Sequence, residues 1–248
     1  MGDPVALVPI RSFNGMTRLA SVLDPQKRSD LARMLASRVL DAVSAAGLET
    51  IVVTSSDDVA RWARGNKASV HKDPRTGLSD AINSCVSAVG SAPWLVIHAD
   101  LPLVTPLAIA TVARASRSAM VIVPSYDGGT TVIAGNGTFP FAYGIGSFQR
   151  HYATAPHATI IVSPELSADI DTELGLELVP ELLDTGFRNA DKAPASPFQG
   201  GQQRDVVPMQ GDPRFGAQSG VDAVGFALSP SLEDSLVPLE RGTSDSDG

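Results

Sequence analysis

The chain has one cysteine in 248 residues, so neither an internal disulfide nor a cysteine-rich zinc site is open to it. That residue, Cys85, sits in an apolar helical pattern and reads as ordinary core packing. Positive charge is also scarce: 19 Lys and Arg stand against 27 Asp and Glu, a formal net charge of −8 with a pI near 4.9. A general nucleic-acid or anionic-membrane binder needs the opposite sign of surface, so both classes are disfavoured. Apolar runs are short, and none reaches the roughly 18 residues of a membrane span. The opening MGDPVALVPI lacks a basic segment followed by a long apolar one, which leads us to expect a cytoplasmic protein. Neither GxxxxGK[ST] nor GxGxxG follows the first apolar run, so kinase-like and dinucleotide-binding readings lose their best support. No internal repeat is present.

What remains is 43% apolar residues, enough to bury a full core as one domain with length to spare. Short apolar runs alternate with amphipathic stretches. Val5 to Ile10 predicts a strand, and Ser29 to Ala46 a helix with Leu31, Met34, Leu35, Val39 and Val43 on one stripe and Gly47 as its stop. Ile51 to Thr54, the neighbourhood of Val70, and Trp94 to His98 predict further strands, with helices over Val59 to Arg64 and Leu78 to Val89 between them. Thr105 and Pro106 supply an N-cap and a first-turn proline for a helix through Ala115. Val121 to Val123 and Thr131 to Ala134 flank the turn Tyr126-Asp127-Gly128-Gly129, and Phe148 to Ala155 predicts a last helix. The series implies an α/β fold: a mostly parallel sheet flanked by helices, with its cleft at the carboxyl edge of the strands. From about residue 187 the composition turns to proline, glycine and polar residues. We therefore expect one domain over residues 1–186 and a partly disordered extension over 187–248. Apolar residues late in that extension would let it dock on the domain or on a second subunit, which leaves a homodimer open.

Three aspartates carry the most chemical information. Asp100 falls just past the carboxyl end of the Trp94 to His98 run, where open α/β sheets bind ligands. Asp169 and Asp171 are two residues apart, so on an extended segment both side chains face one way and can share a divalent cation. The plainer alternative makes Asp100 a turn cap before Pro102 and the Asp169 pair a helix N-cap ahead of Glu173. Arg11 and Arg18 flank a glycine-containing loop after the first strand and suit a polyphosphate, although most arginines are simply solvated. Gly77 precedes a helix whose early amides can face a base or phosphate, or is a plain turn residue. Thr130, beside Gly128 and Gly129, and Gly144 and Ser147 in YGIGS are suited to cradling an anion, while a hairpin turn and a serine N-cap explain the same letters. Among the histidines, His98 reads as a semi-buried strand residue and His151 lies one turn past Ser147, within reach of a phosphate. His71 and His157 show no partner at ligand spacing, and no histidine is assigned a proton-transfer role.

In this order, VPIRSF, TRLASVL, GLSDAI, HADLPLVTP, GGTT, YGIGSFQRH and DIDT resemble the 2-phospho-L-lactate and phosphoenolpyruvate guanylyltransferases of coenzyme F(420) biosynthesis. The resemblance spans roughly residues 5 to 182. It implies a nucleotide-diphospho-sugar transferase-like (Rossmann-like) fold and transfer of GMP from GTP to phosphoenolpyruvate or 2-phospho-L-lactate, with release of diphosphate. It further implies that Asp100, Asp169 and Asp171 are Mg2+ ligands, that Thr130, Gly144 and Ser147 hold the phosphorylated acid, and that Arg11, Arg18 and Gly77 lie on the nucleotide side. Arg11 stands where the family usually has lysine, the opening loop is one residue shorter with Met16 in place of an Ala-Lys pair, and the family's Gly-Leu-Asn turn is Gly-Leu-Ser here. Arginine outnumbers lysine and alanine is abundant, as in GC-rich genomes, which inclines the acid towards phosphoenolpyruvate. The alternatives are another nucleotidyltransferase of the same fold, acting on a sugar phosphate or molybdopterin, and a non-catalytic nucleotide-binding protein.

Overall fold

The computed structural model describes residues 2–72, 77–170 and 175–176. Strand β1 (Val5–Pro9) is buried through Ala6, Leu7 and Val8, and alternate side chains enter different cores. After a 3-10 turn at Thr17–Leu19 comes helix α1 (Pro25–Ala45). It begins four residues before the expected Ser29, because the Asp24 carboxylate accepts from the Lys27 amide at 2.8 Å and Pro25 fills the first turn. Gly47, at φ 80°, ends it as anticipated. Leu31, Leu35, Val39 and Val43 are wholly buried, each contributing about 1.5–3 kcal/mol of transfer free energy. Packing, more than helix propensity, holds this helix.

Strand β2 (Thr50–Thr54), helix α2 (Asp57–Gly65), strand β3 (Ser69–Lys72), helix α3 (Leu78–Val89) and strand β4 (Trp94–Ile97) follow. Helix α4 (Pro106–Ala115) starts as its sequence predicts, with Thr105 Oγ1 accepting from the Ala108 amide at 3.2 Å. Strands β5 (Val121–Pro124) and β6 (Thr130–Gly135) form an antiparallel hairpin. Helix α5 (Ser147–Thr154) follows, and then two elements the apolar pattern does not announce, strand β7 (Thr159–Ile160) and helix α6 (Pro164–Ser167). Both are too short for periodicity to register.

Among the described residues the sheet has seven strands in the order β3-β2-β1-β4-β6-β5-β7. β1 pairs in parallel with β2 and β4, β2 with β3, and β5 with β7, while β6 runs antiparallel to β4 and β5. Side chains of α1, α2 and α4 meet Ala6, Val8, Val52, Leu95 and Ile97 in one core. Ile82, Cys85 and Val86 of α3 join Leu7, Val96, Phe139 and Phe141 in another. Helices thus cover both faces, and Cys85 is core as expected. A third cluster binds Leu19, Leu23, Leu31 and Leu35 to Ile170 and Leu176. The expected domain boundary at 186/187 and the whole extension lie outside the described residues.

Candidate active site

The parallel strands β1 and β4 end side by side, and the chain beyond each opens into a cavity. After β4 the ladder runs on through the His98 amide, which donates to the Thr131 carbonyl at 3.0 Å. Asp100 then leaves the sheet at its carboxyl edge, between the partly buried Ala99 and the wholly buried Leu101. Arg38 of α1 bonds the Pro102 carbonyl and fixes this exit.

Asp169 reaches the same place from the other side. The Ile170 amide donates to the Asp100 carbonyl at 3.0 Å, and the Ile170 side chain is buried in the cluster with Leu31 and Leu35. The Ser167 carbonyl in turn accepts from Tyr126 N at 3.1 Å, so the segment after α6 is sewn to both the β4 exit and the β5–β6 turn. Asp171, the third expected metal ligand, lies outside the described residues, and among those described no group of three metal-ligating side chains is gathered. The two described carboxylates nevertheless fit magnesium, which takes hard oxygen donors and commonly needs only one or two carboxylates beside water and substrate phosphates.

Two cavities meet at Asp100. One, of about 380 Å3, is lined by Ile10, Arg11, Ser12, Phe13, Gly15, Met16, Ala32 and Ala36. The other, of about 330 Å3, is lined by Arg18, Ser125, Asp127, Gly129, Thr130, Tyr143, the Gly144–Ser147 loop and Asp169. Leu78, His98 and Asp100 border both. Arg11 and Arg18, expected together on a nucleotide side, are therefore divided: Arg11 faces the first cavity and Arg18 the second. The sequence could not separate them, because the 3-10 turn at Thr17–Leu19 redirects the chain between the two. Gly77 borders neither cavity; it is the N-cap of α3, and its neighbour Leu78 forms the shared wall. A larger cavity of about 670 Å3 lies at the opposite, amino edge of β2 and β3. It holds none of the residues singled out above.

The second cavity has the makings of an anion cradle. Gly144 at φ 122° and Gly146 at φ 67° adopt conformations that side chains resist, and Arg150 braces the loop they form. Its Nη1 donates to the Ile145 carbonyl at 2.6 Å, and its Nε and Nη2 to the Ala142 carbonyl at 3.1 and 2.9 Å. Ser147 is the first residue of α5 rather than its cap, a position that falls to Gly146. Its hydroxyl lies 3.3 Å from Thr130 Oγ1. The Phe148 amide donates to the Gly128 carbonyl at 3.3 Å, joining the start of α5 to the β5–β6 turn. Ser79, where the family's asparagine would stand, accepts the Tyr143 amide at 3.1 Å. Its hydroxyl supports the cradle from behind.

Three residues gain roles that the sequence did not disclose. Asp127, read only as a turn residue, accepts from the Ser125 hydroxyl and from the Gly129 amide at 2.9 Å. The Ser125 hydroxyl, helped by the Gly129 amide and nearby Arg18, holds its carboxyl below the usual carboxylate range. An Asp-Gly-Gly turn lining a cleft was the available signal. His98 is pushed down by burial against the upward pull of Asp169 and Asp127, which keeps its ring neutral beside Tyr143, 5.3 Å away. Burial raises the Tyr143 hydroxyl well above its ordinary value, so it stays a neutral phenol. His151, placed by its position within reach of a phosphate, points inward instead: it is 0% exposed and bonds Ala142 and Thr130.

These features agree with what the chain is similar to. The family described as Guanylyl transferase CofC like matches residues 5–183. A 2-phospho-L-lactate guanylyltransferase of Methanocorpusculum labreanum is 34% identical over 192 residues, 75% of this chain and 85% of that one. A phosphoenolpyruvate guanylyltransferase of Rubrobacter xylanophilus is 30% identical over 181 residues, 67% of this chain and 88% of that one. Among solved structures, a Desulfovibrio desulfuricans protein provisionally assigned as a nucleotide-diphospho-sugar transferase shares the fold with a TM-score of 0.62 at 14% identity, over 72% of this chain and 87% of that one. A nucleotidyl transferase from Methanothermobacter thermautotroptrophicus shares it with a TM-score of 0.51 at 17% identity, over 75% of this chain and all of that one. The sequence match and the carboxyl-edge site together place this chain in the family of CofC-like guanylyl transferases, as a nucleotidyltransferase.

Proposed function

We propose that the chain transfers GMP from GTP to phosphoenolpyruvate, giving enolpyruvyl-diphospho-guanosine and diphosphate. The observation that carries a two-substrate reaction is the pair of cavities bordered in common by Asp100, His98 and Leu78. Relatives named for both phosphoenolpyruvate and 2-phospho-L-lactate stand at similar identity, so 2-phospho-L-lactate is the second reading. The two acids differ by two hydrogens on the carbon skeleton, a small difference for a pocket to weigh.

In this reading GTP occupies the cavity of Arg11, whose guanidinium faces the triphosphate while Ile10, Phe13, Ala32 and Ala36 offer an apolar wall. The acid occupies the cavity of Thr130, Gly144 and Ser147, with Arg18 opposing its negative charge. An oxygen of the acid's phosphate attacks the α-phosphorus of GTP. A new P–O bond forms, the bond to the β-bridging oxygen breaks, and diphosphate leaves with the electron pair. The attacking phosphate is already ionised at neutral pH, so no protein base is needed, in keeping with the lowered basicity of His98 and His151. The obstacle is electrostatic: each pair of unit charges brought to 4 Å repels by about 4 kcal/mol at an effective dielectric near 20. Magnesium, held by Asp100 and Asp169 with Asp171 as the third carboxylate that the resemblance implies, would supply compensating charge and stabilise the departing diphosphate. The loop braced by Arg150 and the ladder ending at Asp100 hold the acid and the nucleotide in fixed relation, which is where most of the rate of such a transfer originates.

Incubating the purified protein with GTP, magnesium and each acid separately, and measuring diphosphate release, tests this. Faster release with phosphoenolpyruvate supports the proposal. A clear preference for 2-phospho-L-lactate selects the second reading, and release with neither acid rejects both.

A further inference from the structure

His151 lies one layer behind the second cavity. Its ring is wholly buried, packed against Tyr143 at 4.9 Å and Phe139 at 5.7 Å, and it touches polar atoms through both nitrogens. Nε2 is 2.8 Å from the Ala142 amide nitrogen. A backbone N–H only donates, so Nε2 must be the unprotonated acceptor. In the neutral ring the proton therefore sits on Nδ1, 3.0 Å from Thr130 Oγ1, and is donated to that oxygen. Thr130 Oγ1 is also 3.3 Å from the Ser147 hydroxyl. Whichever of these two hydroxyls donates to the other, one hydroxyl proton of the pair is left over, and both residues line the cavity.

We infer that His151 is a positioning residue that fixes the Thr130–Ser147 hydroxyl pair as a hydrogen-bond donor toward an anionic group of the phosphorylated acid. The inference rests on the acid occupying that cavity, as proposed above. Without the ring, Thr130 Oγ1 is free to turn its own proton inward and present a lone pair to the anion, converting an attraction into a repulsion. Burial, with Arg150 and His98 adding to it, pushes the His151 ring down to about 4, which keeps the imidazole in the neutral form that this bonding pattern requires. One ring thus does two jobs: Nε2 holds the Ala142 backbone, and Nδ1 sets the polarity of the cradle.

The two jobs are separable by substitution. In His151→Asn the amide nitrogen replaces Nδ1 and keeps the donor to Thr130 but loses the Ala142 contact. In His151→Gln the amide oxygen reaches the Nε2 position and keeps Ala142 but loses the donor. Phosphoenolpyruvate affinity, measured by calorimetry, is expected to fall about tenfold in His151→Gln, the size of one hydrogen bond to a charged group's cradle, and to stay near wild type in His151→Asn. GTP affinity should hold in both, while Tm falls further in His151→Asn. Thr130→Val should weaken the acid to a similar degree, and adding His151→Gln to it should weaken it no further. A purely structural role would make affinity follow Tm across the two variants, and that outcome, or additivity with Thr130→Val, overturns the inference. Long-range 1H–15N NMR of the free protein at neutral pH should show a neutral His151 protonated on Nδ1, and an Nε2-protonated or cationic ring overturns the inference whatever the enzyme turns over. Absent diphosphate release, with the tautomer and the affinity contrast intact, would reject the proposed reaction alone.

Discussion

The Ile170 amide donates to the Asp100 carbonyl at 3.0 Å, and this one bond draws the segment carrying Asp169 to the strand end carrying Asp100. Each carboxylate is positioned through an adjacent buried residue that packs against distant parts of the chain. Asp100 is set by β4 and the buried Leu101, Asp169 by Ile170 anchored against Leu31 and Leu35 of α1.

If these carboxylates hold the catalytic cation, Asp100→Asn and Asp169→Asn should each lower kcat about a thousandfold or more, since a metal site contributes several kcal/mol to such a transition state. Both residues are only partly buried, so Tm should change little. Diphosphate release and a thermal melt check the two halves, and retained turnover in either variant removes that residue from the metal site.

Removing divalent cations with a chelator should abolish diphosphate release and magnesium should restore it. In the wild-type protein magnesium should raise Tm through preferential binding to the native state. Asp100→Asn should lose that rise, and an undiminished rise would place the ion elsewhere.

The division of the two arginines between cavities predicts a split in steady-state constants. Arg11→Ala should raise the KM of GTP and Arg18→Ala that of the acid, each by about ten- to a hundredfold for loss of a charged hydrogen bond. Equal effects of both variants on GTP would restore the single nucleotide side that sequence order alone suggests.

Gly144 holds φ at 122° in the loop that borders the second cavity. Gly144→Ala should cost about 1–3 kcal/mol of backbone strain and raise the KM of the acid more than that of GTP. A circular-dichroism melt together with kinetics on both substrates would show whether the strain stays local.

His151 and His98 contribute to the acid limb of the stability profile. Unfolded, His151 binds its proton near pH 6.5; folded, it does so only near about 4. Between these values the unfolded chain holds more protons, so stability is lost as pH falls from 6.5 towards 4. His98, lowered by burial, acts in the same direction. Tm measured across this range should fall on acidification, and less steeply in His151→Gln, which removes one of the two depressed imidazoles.

Much of the fold was legible because local signals agreed. Thr105 with Pro106 marked the start of α4, Gly47 the end of α1, and the apolar run from Trp94 delivered Asp100 to the sheet edge. Helix α1 began earlier than its apolar stripe because capping by Asp24 and Pro25 precedes the first buried side chain. Elements β7 and α6 left no trace because two to four residues cannot display a period. His151 was placed within reach of a phosphate because helical spacing from Ser147 says which residues neighbour each other, not whether a ring turns toward the cavity or toward Phe139 and Tyr143. The plainer alternative for Ser147, a helix cap, fails because the left-handed Gly146 takes that place.

By itself the sequence determined the alternation of strands and helices, the family, and which oxygens and guanidinium groups are available for chemistry, because periodicity, capping and residue type are local properties. Only the tertiary structure decided which of them share a cavity. Arg11 and Arg18 part company, Asp127 joins the site, and His151 withdraws behind Thr130, since these outcomes depend on how the β5–β6 hairpin, α5 and the Asp169 segment close around the carboxyl end of β4. Such closure is set by contacts between segments distant along the chain, which no local pattern encodes.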